Sequence, residues 1–215
     1  MPRLRVHNFS VSLDGYAAGP GQGPDTPLGV GGERLHTWVF QTRYGRQMIG
    51  EQGGDEGVDE SFMRAGDEGI GATVMGRNMF GPVRGPWGDA QWSGWWGGNP
   101  PYHHEVFVLT HHPRPPLRMD GGTTFTFVTD GLEAALARAF EAADGKDVRL
   151  GGGVATVRDA LRGGLVDELH VALVPTLLYS GERLFDFPGG GPDGYECVEF
   201  VASPSVAHAR LVKVG

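Results

Sequence analysis

The chain reads as an α/β domain with a mainly parallel central sheet, flanking helices and an antiparallel C-terminal edge. Three observations predict this. Short β-favouring segments alternate with amphipathic ones through the second half of the chain, as strands joined by helical crossovers do. Two more β-type segments adjoin each other near the C-terminal end with no helix between them, which suits an antiparallel pair. The 37 glycines are clustered, at 19–57, 81–98 and 189–194, and mark long loops laid on an ordered scaffold.

Taken in order, residues 4–13 begin with β-favouring residues in partial alternation and predict the first strand, closed by the Asp14-Gly15 turn signal. Residues 17–32 form a Gly/Pro loop. Leu35, Trp38 and Val39 stand at helical spacing and predict a short helix inside a long insertion. Residues 52–57, rich in glycine and acid, are expected to be mobile. Val58, Phe62 and Met63 predict a short helix over 58–65, and 72–76 a buried strand. Residues 81–101 hold four of the five tryptophans, Trp87, Trp92, Trp95 and Trp96. Indoles in an irregular segment must bury against something. That something is the protein's own core, a dimer partner, or a ligand on which they stack. Strands follow at 105–110, 123–128 and 148–150, with a helix over Leu132–Ala142 between the last two. A second helix over 154–161 is closed by Gly163-Gly164. The final strands are 168–175, 198–201 and 207–212.

The whole chain of 215 residues fits one domain with Gly-rich insertions near 19–57 and 81–101, and 40% hydrophobic residues allow a sizeable core. A formal charge of −8 argues against nucleic acid or an anionic membrane as the main partner. The single cysteine, Cys197, excludes an internal disulfide and a cysteine metal cluster, and fits a reducing cytoplasm. The first residues lack the apolar region of a signal peptide, and no apolar run approaches membrane-spanning length. The expected localisation is cytoplasmic. Two histidine pairs, His103-His104 and His111-His112, invite a metal reading. Adjacent residues of a strand face opposite ways and no further ligands stand nearby, so no metal is expected.

The most informative segment is Asp147-Val-Arg-Leu-Gly-Gly-Gly-Val-Ala-Thr-Val157, a short strand running into three glycines and then an amphipathic segment. Such a turn lets a ligand approach backbone N–H groups with no Cβ in the way, and the helix that follows aims free amides at the same place. It is not the G-x-G-x-x-G fingerprint of a Rossmann fold. Its weight comes from order. Ser12-Leu-Asp-Gly15, Val74-Met-Gly-Arg77, Val108-Leu-Thr110, Leu150-Gly-Gly-Gly153 and Leu165-Val-Asp-Glu-Leu169 with Pro175 follow one another along the chain. In that order they resemble the dihydrofolate reductase superfamily. The likeness is stronger to the C-terminal reductase domain of the bifunctional deaminase-reductase of bacterial riboflavin synthesis and its stand-alone relatives.

The resemblance implies a dihydrofolate reductase-like fold, NADPH as cofactor, and hydride transfer to a small heterocyclic substrate. That substrate is a pterin or an aminopyrimidine of the riboflavin path. It places Gly76, Arg77 and Asn78 at the cofactor phosphates, with the Arg77 guanidinium suited to a 2′-phosphate. Thr110 and His111 fall at the same phosphate. Gly151, Gly152 and Gly153, with Val154, Ala155 and Thr156, would receive the nicotinamide ribose and pyrophosphate. Met79 stands where the family often has a threonine.

Asp14 edges the nicotinamide pocket and is a candidate to orient substrate or relay a proton; it is equally a plain Asp-Gly turn residue. Glu60, counted back from Met75-Gly76-Arg77, falls near the family's pterin-binding helix carboxylate, with neighbouring Asp59 as the rival. Glu168 is expected to form a structural ion pair. Trp38 either stacks on a flat substrate or anchors the insertion. The 171–173 segment carries an apolar residue in place of a family threonine beside the pterin. A homodimer fits the relatives. Two other readings stay open: a nucleotide-binding protein of this fold without turnover, and an interaction module whose tryptophans form the contact surface.

Overall fold

The computed structural model describes residues 1–81, 84–88, 92–188, 190–191 and 193–215, so the loops expected over 81–101 and 189–194 fall partly outside the described residues. Strands β1 (Leu4–Ser12), β3 (Ile70–Gly76), β4 (Glu105–Leu109), β6 (Thr124–Val128), β7 (Asp147–Gly152) and β8 (Glu168–Val174) are mutually parallel within one sheet. Strand β5 (Leu117–Arg118) closes one edge antiparallel to β6. Strands β10 (Tyr195–Ala202) and β11 (Ala207–Lys213) close the other antiparallel to β8. The order is β10-β11-β8-β1-β7-β3-β4-β6-β5. A separate two-stranded piece pairs β2 (Tyr16–Ala18) with β9 (Glu182–Arg183).

The inner strands β1, β3 and β8 bury both faces, as their apolar runs demand. Leu4, Val6, Val74, Val148 and Leu150 belong to one cluster with Ala135, Leu136 and Ala139 of helix α5 (Leu132–Ala142). The apolar stripe of α5 is spaced for one helix face, so it packs over β3, β4 and β7. Helix α6 (Val154–Arg162) adds Val157, Ala160 and Leu161 to the same cluster. Helix α3 (Val58–Asp67) lies against β1 and meets two short helices of the long insertion, α1 (Thr37–Gln41) and α2 (Arg43–Met48). Helix α4 (Arg77–Phe80) continues directly from β3.

One expectation needs correction, and two loop segments find their neighbours. The Gly151–Gly153 run is not simply a turn after the strand: β7 continues through Gly151 and Gly152, and only Gly153 serves as the N-cap of α6. Gly152 still pairs with β3, opposite Met75, while Gly151 falls at a shift in register. Residues 52–57, expected to be mobile, meet the short helices of the insertion at Asp55. The Asp55 N–H donates to Gln41 O at 2.7 Å, and the Arg43 N–H donates to Asp55 O at 3.1 Å. The tryptophan segment faces inward. Trp87 meets Phe80 and Phe127 edge-on, Trp96 stacks with Phe125, and Trp87 and Trp92 donate their indole N–H groups to His112 O and Phe80 O.

Candidate cofactor and substrate cleft

A cavity of about 960 Å³ opens at the carboxyl ends of β3, β4, β6 and β7, the end at which open α/β sheets receive ligands. Gly76, Arg77, Asn78, Thr110, His111, Gly151, Gly152, Gly153, Val154, Ala155 and Thr156 all line it, so one cleft gathers every residue assigned to the cofactor. The glycines are there for space. A Cβ on Gly76 would run into Thr156 Oγ1, so the end of β3 and the start of α6 approach closely only without one. Gly152 has φ +142°, a region essentially closed to residues with a Cβ. Met79 lies against this run; a Cβ on Gly151 would stand 3.1 Å from its Cε. No side chain caps the N-terminus of α6, so its first amides stay free to meet an anion.

The Arg77 end of the cavity is cationic. Arg77 Nη1 donates to Thr110 Oγ1 at 2.8 Å, and its guanidinium carbon lies 3.0 Å from the centroid of the Trp87 ring. Arg114 lies 4.9 Å from the same ring and donates to Trp92 O at 2.6 Å. Burial first, and then the neighbouring Arg114 charge, push the Arg77 pKa down. Among the described residues neither guanidinium has a carboxylate within ion-pair distance. Two like charges held together on one indole favour the arrival of an anion.

The two carboxylates expected to act in catalysis stand elsewhere; neither lines the cavity. Asp14 accepts hydrogen bonds from Ser12 Oγ at 2.6 Å, the Leu178 amide at 3.1 Å and the Tyr179 amide at 2.7 Å. Burial acts to raise its pKa, but these donors outweigh it and hold the carboxyl at about 2. Asp14 therefore ties the loop after β8 to the end of β1. Glu60 accepts from the Tyr44 amide at 2.7 Å in the first turn of α2 and pairs with Arg64 at 2.6 Å. It clamps α2 to α3. Glu168 takes the expected structural role, pairing with His7 at 2.6 Å and Arg3 at 2.8 Å.

Asp59, the rival of Glu60, ends a buried chain. The Asn8 amide donates to His170 Nδ1 at 3.0 Å, His170 Nε2 faces His208 Nδ1 at 3.0 Å, and His208 Nε2 faces Asp59 Oδ1 at 2.9 Å. Because the first donor is a backbone N–H, each step has one polarity: both imidazoles carry their proton on Nε2 and are neutral. Burial lowers both pKa values, that of His170 to about 2. The chain fixes Asn8 at φ 56°, where the pairing of β1 with β8 shifts register.

Reasoning from sequence missed the residues that line the cavity on the side of the insertion, His36 and Phe40 with Asn8 of β1. Trp38 resolves as an anchor: it is 1% exposed and donates to Ser10 Oγ at 3.0 Å, while Phe40 is 45% exposed. The available signal was the four-residue spacing of His36 and Phe40, out of phase with buried Leu35 and Val39. Neither histidine pair gathers ligands. His104 Nε2 bonds Thr73 Oγ1 at 2.8 Å, His103 Nδ1 bonds Gly121 O at 2.9 Å, and no three metal-binding side chains converge among the described residues. No helix among the described residues is long and apolar enough to cross a membrane.

A parallel sheet with this cleft at its carboxyl edge is the architecture of a dihydrofolate reductase-like reductase. Residues 6–202 match the RibD C-terminal domain family, and the chain belongs to that family. Solved structures of similar fold include a putative riboflavin biosynthesis protein from Shewanella sp. PV-4, with TM-score 0.62, 20% identity and 100% coverage of both chains. A pyrimidine reductase-like protein from Corynebacterium diphtheriae gives TM-score 0.55 at 15% identity, covering 100% of this chain and 92% of that one. Dihydrofolate reductase from Enterococcus faecalis, complexed with NADP(H) and RAB-propyl, gives 0.52 at 14% identity, covering 98% and 96%. At these identities the likeness establishes the fold. No curated protein matches the chain in sequence.

Proposed function

We propose that this protein is an NADPH-dependent reductase of a small heterocycle, of the pterin or riboflavin-pathway aminopyrimidine type. The observation that carries this reading is Arg77, which shares the Trp87 ring with Arg114 and is uncompensated by acid among the described residues, in a cavity that it lines together with a Cβ-free strand end and an uncapped helix start. A phosphorylated dinucleotide fits each part. Gly151, Gly152 and the first amides of α6 would receive its pyrophosphate, and Arg77 with Thr110 and His111 its 2′-phosphate. When bound, the nicotinamide supplies a hydride. The chain's own residues hold the cofactor, keep β3 and α6 close, and wall the substrate side.

The test is titration of the purified protein with NADPH and NADH, read by tryptophan fluorescence, since Trp87 touches Arg77. Saturable quenching by NADPH at least about tenfold tighter than by NADH is expected, with the preference lost in Arg77→Ala. Equal affinities, or none, would end this reading. Nucleotide binding without turnover is the second reading, favoured by the distance of Asp14 and Glu60 from the cavity. Single-turnover NADPH oxidation with an aminopyrimidine or dihydropterin separates the two. The reading includes a cytoplasmic homodimer. Val198 and Phe200 on β10, 46% and 66% exposed, offer an apolar surface for a second copy.

A further inference from the structure

Resting on the reductase reading above, we infer that the 19–57 insertion carries the substrate wall of the cavity. Phe40 is the platform on which a flat ring stacks, and His36 with Asn8 supplies the polar partners, so the site takes an uncharged, lactam-edged heterocycle rather than a protonated pteridine. The positions that resemblance assigns to a pterin are already filled. Glu60 is committed to the Tyr44 amide and Arg64. Ala172, within the segment that lacks the family threonine, is fully buried in a cluster with Leu35, Trp38, Val39 and Met63. Among the described residues the carboxylates lining the cavity are Asp159 and Glu182, from α6 and β9, and Asp159 already accepts from Arg162 at 3.0 Å. A cationic ring would find no carboxylate on the insertion side, and a charge taken out of water without a partner is costly.

What the insertion offers instead is neutral. The face of α1 that carries Trp38 and Val39 is sunk into the core, which holds the helix still. Its other face turns the Phe40 ring to the cavity, and a large apolar ring left open there has area to gain from a flat ligand. His36 Nδ1 and Asn8 Oδ1 are buried with no hydrogen-bond partner among the described residues, and both residues line the cavity. Buried polar atoms are rarely left unpaired, and two on one wall await the N–H and C=O groups of a ligand. Burial pushes the His36 pKa down, so the imidazole meets that ligand uncharged. Asn8 is held in place from behind by the His170–His208–Asp59 chain.

The experiment titrates the whole chain with lumichrome, a flat uncharged ring with a lactam edge, and with a diaminopteridine, a flat ring that protonates readily and lacks that edge. Each is followed by ligand fluorescence with and without NADPH. Wild type is expected to bind lumichrome saturably and in preference to the diaminopteridine. Phe40→Ala should weaken lumichrome about tenfold and His36→Ala about fivefold, with NADPH affinity within about twofold of wild type in both. Phe40 is half open to solvent, so its removal leaves the core intact, and the NADPH titration checks the fold. Absence of lumichrome binding, equal binding by both variants, or preference for the diaminopteridine overturns the inference. Loss of NADPH binding with lumichrome binding and its two mutational losses intact overturns the reductase reading and leaves the wall standing.

Discussion

At its Arg77 end the cavity is built from short contiguous pieces: three glycines with the helix start beside them, and Gly76-Arg77-Asn78 at the end of β3. At its His36 end it is assembled from an insertion, a bulged strand and a histidine chain whose members lie up to 200 residues apart in sequence, from Asn8 to His208. The first end depends on backbone and charge, the second on side chains positioned by distant neighbours. A cofactor shared by many enzymes suits the first construction. A substrate particular to one chain suits the second.

The sharpest way to break this comparison is to fill the backbone end. Gly152→Val puts a branched side chain at φ +142° and should abolish measurable NADPH binding, a loss of more than about a hundredfold. Lumichrome binding at the far wall should persist, and parallel titrations check both. If Gly152→Val removes both ligands equally, the two ends are one unit.

Acid should act on the other end first. His170 and His208 have folded pKa values below the unfolded 6.5, so the unfolded chain binds more protons between those limits. Their contribution is fully present above pH 6.5 and declines as pH falls below it, at up to about 1.4 kcal/mol per pH unit for each group. Glu168, held at about 2 by its hydrogen bond to His7, adds a further loss below pH 4.5. Urea unfolding measured from pH 8 to pH 4 should show stability flat above 6.5 and falling beneath it. A curve flat down to pH 5 would mean that the chain does not hold Asn8 as described.

The smallest effect is expected from Asp14→Asn. It weakens the acceptor for three donors and should lower the thermal midpoint only slightly while leaving NADPH affinity within about twofold. A large loss of affinity would return Asp14 to the pocket.

The fold was legible where the signal is local. Helix α5 has the bounds its Ala and Leu spacing predicts, and β3, β4, β6 and β8 lie within a residue or two of their apolar runs. The glycine and arginine side of the cavity was legible for the same reason: backbone requirements leave glycines in the sequence. Glu60 misled because a count back from Met75-Gly76-Arg77 gives a helix position but not which neighbour takes its oxygens, and α2 took them. The His170–His208 chain left no trace in spacing, because its members meet only when β8, β11 and α3 pack together. His36 and Phe40 were hidden by Trp38 between them, the larger ring, which faces the other way.

The position of β1 has a consequence for how the chain is made. Its neighbours are β7 and β8, so once β1 has left the ribosome it finds no strand partner until some 140 residues later. At about 5–20 residues per second that is a wait of roughly 7 to 28 seconds. Meanwhile Leu4, Val6, Phe9 and Val11, all buried at the end, are open to whatever binds apolar strands. Contacts this distant also slow the search once the chain is free. A strand beside the centre of the finished sheet is thus the last of the early ones to find shelter, and a nascent chain stalled before residue 147 is the form most in need of a chaperone.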